Sequence, residues 1–215
     1  MKRLLQVAAA IVIAAGVGFL FVRSARSTRS EPYTVNPDHL RGWTLALDAE
    51  PEASGVVLVL RPPQRLAPQL FQQVFTRAME SLNAPASAGM PLILRQEFEQ
   101  AFRGRVEPDA LMAAARQAGL EAEPVEPVCL AHRRESQPGV TRQLYFAVFR
   151  VPAFQTFRLE AAALVTRAGA ASNVFDPFAL APVVIVGASD GAFGRWLPLP
   201  KDPQANCVAP IVASR

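Results

Sequence analysis

Residues 4–22, LLQVAAAIVIAAGVGFLFV, run for 19 positions without a charge. As a helix rising 1.5 Å per residue, the run is about 28 Å long, which matches a bilayer hydrocarbon core of about 30 Å. A helix in a soluble core is seldom apolar on every face, and this one follows directly on Met-Lys-Arg. The run therefore predicts a single N-terminal transmembrane helix within residues 1–23. The rival is a cleaved signal peptide, for which Ala25-Arg26-Ser27 offers small residues spaced for cleavage after Ser27. Such peptides usually have apolar regions of about 7–15 residues and no Arg before the cleavage site. The longer run and Arg23 favour an uncleaved anchor. The first 30 residues contain no Cys, so no lipid-modified N-terminus is expected.

The two flanks of the run are nearly balanced in positive charge, with Lys2 and Arg3 before it and Arg23, Arg26 and Arg29 after it. A very short tail ahead of a long C-terminal body leaves the tail in the cytoplasm. The expected location is thus the bacterial inner membrane, single-pass, with the body outside the cytoplasm. Arg outnumbers Lys 20 to 2, which reads as a GC-rich genome rather than as a binding surface. Residues 24–41 are polar and hold two prolines, the pattern of a flexible tether.

The anchor region also explains the basic pI of about 9.7. Residues 1–30 hold five basic residues and no acid, whereas 31–215 hold 17 basic against 18 acidic. Nucleic-acid binding needs a concentrated basic face, and the body has none, so no nucleic-acid partner is expected. Hydrophobic residues make up 51% and charged ones 19%, which excludes a disordered chain.

Residues 42–215 read as a single globular α+β domain. WTLALDA (43–49) and VVLVLR (56–61) form a predicted hairpin. Pro68 opens a helix whose stripe is Phe71, Val74, Phe75, Ala78 and Leu82. NAPASAGMP (83–91) reads as a loop, and Leu94, Phe98, Ala101 and Phe102 as a second helical stripe closed by Gly104. A third helix runs from Pro108 to Gly119. VCLAHRR (128–134) and TRQLYFAVFRV (141–151) form a second hairpin through Pro138-Gly139. The run 144–149 is apolar on both faces, which places it centrally in a sheet. Pro152 opens a further helix with Phe154, Phe157, Ala161, Leu164 and Val165 on one side, ending at Gly169. Residues 182–187 are a last strand, GRWLPLP a possible short edge, and NCVAPIV a tail with little structure of its own. The expectation is an antiparallel-rich mixed sheet, two hairpins plus a C-terminal strand, with helices on one face.

The last strand leads into Gly187-Ala188-Ser189-Asp190-Gly191, which matches Gly-x-Ser-x-Gly, the nucleophile elbow of the α/β-hydrolases. Ser189 and His132 are therefore the candidate nucleophile and base. Three features oppose the match: breakers crowd the place of the required helix, no His follows Ser189, and the strands before it form hairpins. The glycines read better as a turn out of the sheet, and a non-catalytic protein is the expectation.

Cys129, His132 and Cys207 are too few for a structural zinc site, and no metal or cofactor is expected. The acid pairs Glu97/Glu99, Glu107/Asp109 and Glu121/Glu123 read as ordinary solvated residues. Two cysteines in a body outside the cytoplasm predict a Cys129–Cys207 disulfide. The expected function is a membrane-anchored extracytoplasmic domain that binds or scaffolds an envelope protein partner. The alternatives are an apolar-ligand-binding domain built on the Phe-rich helices and a hydrolase-like enzyme using Ser189.

Overall fold

The computed structural model describes residues 31–50, 54–78, 80–122, 124–199 and 201–214. The expected anchor, residues 1–23, lies outside them. Among the described residues no helix is long and apolar enough to cross a membrane.

The fold is α+β, with the strands divided between two sheets. A curled, mixed sheet of five strands has the order β1-β8-β5-β6-β7. Its strands are β1 (Tyr33–Val35), β5 (Glu126–Gln137), β6 (Val140–Arg150), β7 (Val183–Ala188) and β8 (Cys207–Ala213). Only β1 and β8 run parallel; the other pairs are antiparallel. A separate antiparallel sheet, β2-β3-β4, is formed by Thr44–Leu47, Val56–Arg61 and Met90–Leu94. The main helices are α1 (Leu66–Ala78), α2 (Pro108–Gln117) and α3 (Pro152–Arg167).

Both predicted hairpins form. The second is longer than expected and is joined through Pro138-Gly139, with Gln137 opposite Val140. β6 lies between β5 and β7, and Leu144, Phe146, Ala147, Val148 and Phe149 are at most 2% exposed, in keeping with a central strand.

The single expected sheet is corrected to two because residues 90–94 are a strand. Leu94, Phe98, Ala101 and Phe102 have helical spacing, but Leu94 ends β4, and only from Arg95 does the chain wind, through a helical turn (Arg95–Glu97) and a π-helical segment (Phe98–Phe102). β4 gives β3 a second antiparallel neighbour, so the first hairpin completes its own sheet.

Helix α1 is also rotated from the expected stripe. It starts at Leu66, before Pro68, and buries Leu66, Ala67, Leu70 and Val74. Phe75 is 50% exposed, and Leu82 lies beyond the helix end. The face set by Leu66, Leu70 and Val74, four residues apart, packs on β1 and β7. Those strands are opposite edges of the sheet, and one helix reaches both because the sheet is curled.

The stretch 24–41 differs from a uniform tether. From residue 31 the chain is built into the body, with Tyr33 and Val35 buried in β1. Arg77 holds the entry, donating to the carbonyls of Glu31 (2.6 Å) and Pro32 (3.0 Å) and lying 4.2 Å over the Tyr33 ring. Burial pushes the Tyr33 pKa up from its ordinary value, and Arg77 pulls it part of the way back. Likewise NCVAPIV is not a loose tail: as β8 it is inserted between β1 and β5. The disulfide is present, joining Cys129 of β5 to Cys207 of β8 with Cα atoms 5.8 Å apart.

The largest fully buried side chain is a charge. Arg158 of α3 is 0% exposed. Its Nε donates to Pro177 O (3.2 Å), and one terminal nitrogen donates to Leu92 O and Glu97 Oε2 (both 3.0 Å). The other donates to Glu97 Oε1 (2.7 Å) and Asp176 O (2.6 Å). All five N–H groups are thereby used, and the guanidinium lies 4.4 Å over the Phe175 ring. Glu97 is therefore a partly buried partner of Arg158 rather than an ordinary solvated acid, and its Oε2 also accepts the Leu94 N–H at 2.9 Å. The pair ties α3 to the end of β4.

Candidate functional site

β7 ends in the Gly-x-Ser-x-Gly residues, so the surroundings of Ser189 decide what the motif does. Ser189 extends the β6–β7 pairing beyond Ala188: its N–H donates to Gln143 O (2.9 Å), and its Oγ accepts the Gln143 N–H (3.0 Å). On the other side Asn83 exchanges two backbone hydrogen bonds with Ala188 (2.8 and 3.0 Å), and its side-chain amide donates to Ser189 O at 3.3 Å. A nucleophile elbow presents its Ser at a sharp strand-to-helix turn; here the Ser is still paired as strand. The chain then leaves through a one-turn 3-10 helix, Phe193–Trp196.

The two outer glycines of the motif have structural work. A Cβ at Gly187 would meet the Phe71 ring at 3.1 Å, so Gly lets α1 close on the sheet. Gly191 has φ +66°, the left-handed region that favours Gly, at the point where the chain turns away. Asp190 holds that turn. Its Oδ1 accepts from the Ala192 N–H (3.3 Å) and the Trp196 indole (3.2 Å), and its Oδ2 lies 3.5 Å from both Arg142 and Arg195.

The fold does bring His132 near this region. His132 and Ser189 both bond Gln143, which is 8% exposed. His132 Nε2 lies 2.8 Å from Gln143 Oε1, while Ser189 takes the backbone N–H of the same residue. The Gln143 side-chain nitrogen also donates to Glu80, and the His132 ring stacks on Tyr145 with centroids 4.5 Å apart. A carbonyl oxygen can only accept, so in this bond Nε2 carries the proton. A general base needs a free ring nitrogen aimed at the nucleophile. This arrangement joins hairpin, edge and helix end.

The parent and Ser189→Ala are therefore both expected to be unreactive to a fluorophosphonate probe. The cost, from a Gln143 N–H without its acceptor, is about 1–2 kcal/mol in urea unfolding. Probe labelling of the parent that disappears in the variant would show that Ser189 is a nucleophile.

Cys129 and Cys207 bond each other, which withdraws both from any ligand set with His132. Of the Phe residues on the Phe-rich helices, Phe102, Phe154 and Phe157 are at most 2% exposed, Phe71 and Phe98 are half-buried, and Phe75 is 50% exposed.

A feature absent from the sequence reading lies beside the motif. The segment 191–197, turning away from β7, faces the outer side of the small sheet across a cleft of about 740 Å³. Val56, Val59 and Arg61 of β3 and Pro91 of β4 lie on the sheet side, with Phe193, Arg195 and Leu197 opposite and Ser87–Gly89 closing the wall. Asp48, Glu50 and Ser54 line the hairpin end. Arg61 stands out: its Nε is buried without a hydrogen-bond partner. A desolvated donor left unmatched costs about 1–3 kcal/mol. The first five residues of VVLVLR are all apolar and give no alternation from which to read the face of Arg61, and nothing local reveals that a loop more than 120 residues later would wall that face in.

Comparison with protein-family models, with curated proteins and with solved structures finds no match for this chain.

Proposed function

We propose that the protein is a membrane-tethered extracytoplasmic domain that binds a protein partner of the cell envelope and is not itself a catalyst. The observation that carries this reading is the Cys129–Cys207 disulfide. Disulfides persist in oxidising compartments and are rare in the reducing cytosol. It agrees with residues 4–22 acting as a transmembrane anchor and the body lying on the far side of the bilayer. Residues 24–30 of the expected tether then join the anchor to the body. The binding role rests on the 740 Å³ cleft and on Ser189 and His132 being bonded into the scaffold.

The expected result is that the full-length protein sediments with membranes, resists alkaline carbonate extraction and is digested by external protease in spheroplasts. Recovery of the full-length protein in the soluble fraction, or complete protection from external protease, would overturn the proposal.

A further inference from the structure

The cleft carries opposite charges at its two ends. Arg61 is at the end of β3, opposite Thr44. The Asp48 N–H bonds Val57 O at 3.0 Å, which places Asp48 beside Val57, four residues back from Arg61 along β3, with Glu50 in the hairpin turn beyond it. Four residues of strand span about 13 Å. Between the two ends lie Val59 and Pro91, both buried.

We infer that the cleft binds an extended peptide segment of the partner, with an acidic side chain on Arg61 and a basic one at Asp48 and Glu50. The inference rests on the binding role proposed above and names the ligand class. The Arg61 side chain makes no hydrogen bond or ion pair among the described residues, and its Nε is buried without an acceptor. A ligand carboxylate in the cleft would accept end-on from the two terminal nitrogens together, a fork geometry that a guanidinium favours. In an extended chain, residues i and i+4 lie on one face about 13 Å apart. That spacing matches the separation of Arg61 from Asp48, with the apolar floor under the residues between. A small free anion would occupy the Arg61 end alone. The volume of about 740 Å³ falls within the usual range for ligand clefts.

The test uses the full chain, nitrogen-15 labelled, in lipid nanodiscs. The probes are a pool of acetylated, amidated heptapeptides with Glu and Lys fixed four positions apart and the rest randomised, and sodium succinate. The expected result is a saturable shift of the Arg61 Nε–H resonance with the peptides. By fluorescence anisotropy, peptide affinity should fall at least tenfold in Arg61→Gln and several-fold in Asp48→Asn, with the backbone amide spectrum otherwise unchanged. Arg61→Lys, which keeps the charge but loses the fork, should also bind more weakly than the parent. No shift with the pool, or equal affinity in Arg61→Gln, would overturn the inference. Succinate binding as tightly as the peptides would also overturn it, assigning the cleft to a small anion. Protease access reports the position of the body and this titration reports the cleft, so either reading can fail without the other.

Discussion

Arg158→Met is expected to destabilise the fold by about 3–5 kcal/mol, the range for removing one partner of a buried ion pair. The substitution leaves Glu97 partly buried without its countercharge. It also strips donors from the carbonyls of Leu92, Asp176 and Pro177. Native domains are stable by only about 5–15 kcal/mol, so the variant loses between a fifth and nearly all of its stability. Urea unfolding of the detergent-solubilised full chain measures the effect. Adding Glu97→Gln to Arg158→Met should recover part of the loss, because the orphaned charge is gone, but not all, because the Arg158 hydrogen bonds to the three carbonyls stay lost. A change below about 1 kcal/mol in Arg158→Met would mean that water replaces the guanidinium without difficulty, against its complete burial.

Loss of the Cys129–Cys207 bond is the second large effect. The cysteines are 78 residues apart in sequence, and closing a loop of that size contributes at most about 4.5 kcal/mol through the entropy of the unfolded chain. The double variant Cys129→Ala/Cys207→Ala should unfold at markedly lower urea, and the parent should approach that midpoint when reductant is added. Unreduced, denatured parent should take up no alkylating reagent. Two alkylated thiols under those conditions would refute the bond and remove the main support for a body outside the cytoplasm.

The parts of the fold legible in the sequence are those whose signals are local. Pro108 with Gly119, and Pro152 with Gly169, bracket α2 and α3 because helix ends are set by the residues that cap them. The β5–β6 hairpin is announced by Pro138-Gly139 between two apolar runs. Signals that depend on distant partners were not legible. Glu97 looks like any surface acid until Arg158, 61 residues later, is folded against it. β1 has only three residues, too few to display alternation, and in CVAPIVA Pro210 hides the alternating burial of Ala209 and Ile211. Residues 94–102 misled because helical spacing there spans a strand end and a π-helical segment. At the candidate site, the sequence suggested that the glycines turn the chain out of the sheet; Gly191 does so, whereas Gly187 is still paired as strand. The sequence did not suggest that this turn would arch over β3 and leave Arg61 without a partner.

The insertion of β8 between β1 and β5 also bears on how the protein is made. Val35 and Ser214, which close this part of the sheet, are 179 residues apart in sequence. A ribosome delivers Val35 long before Ser214. The β5–β6 and β6–β7 pairs can form as soon as their strands emerge, but β1 has no neighbour until β8 has been released. From the completion of β5 until β8 emerges, the nascent chain therefore exposes two unpaired strand edges, a recognised hazard for misassociation, and its slowest pairing is also its most distant one. A chain stalled before residue 207 would lack the strand that joins β1 to β5, so β1 would be left without a neighbour in the larger sheet.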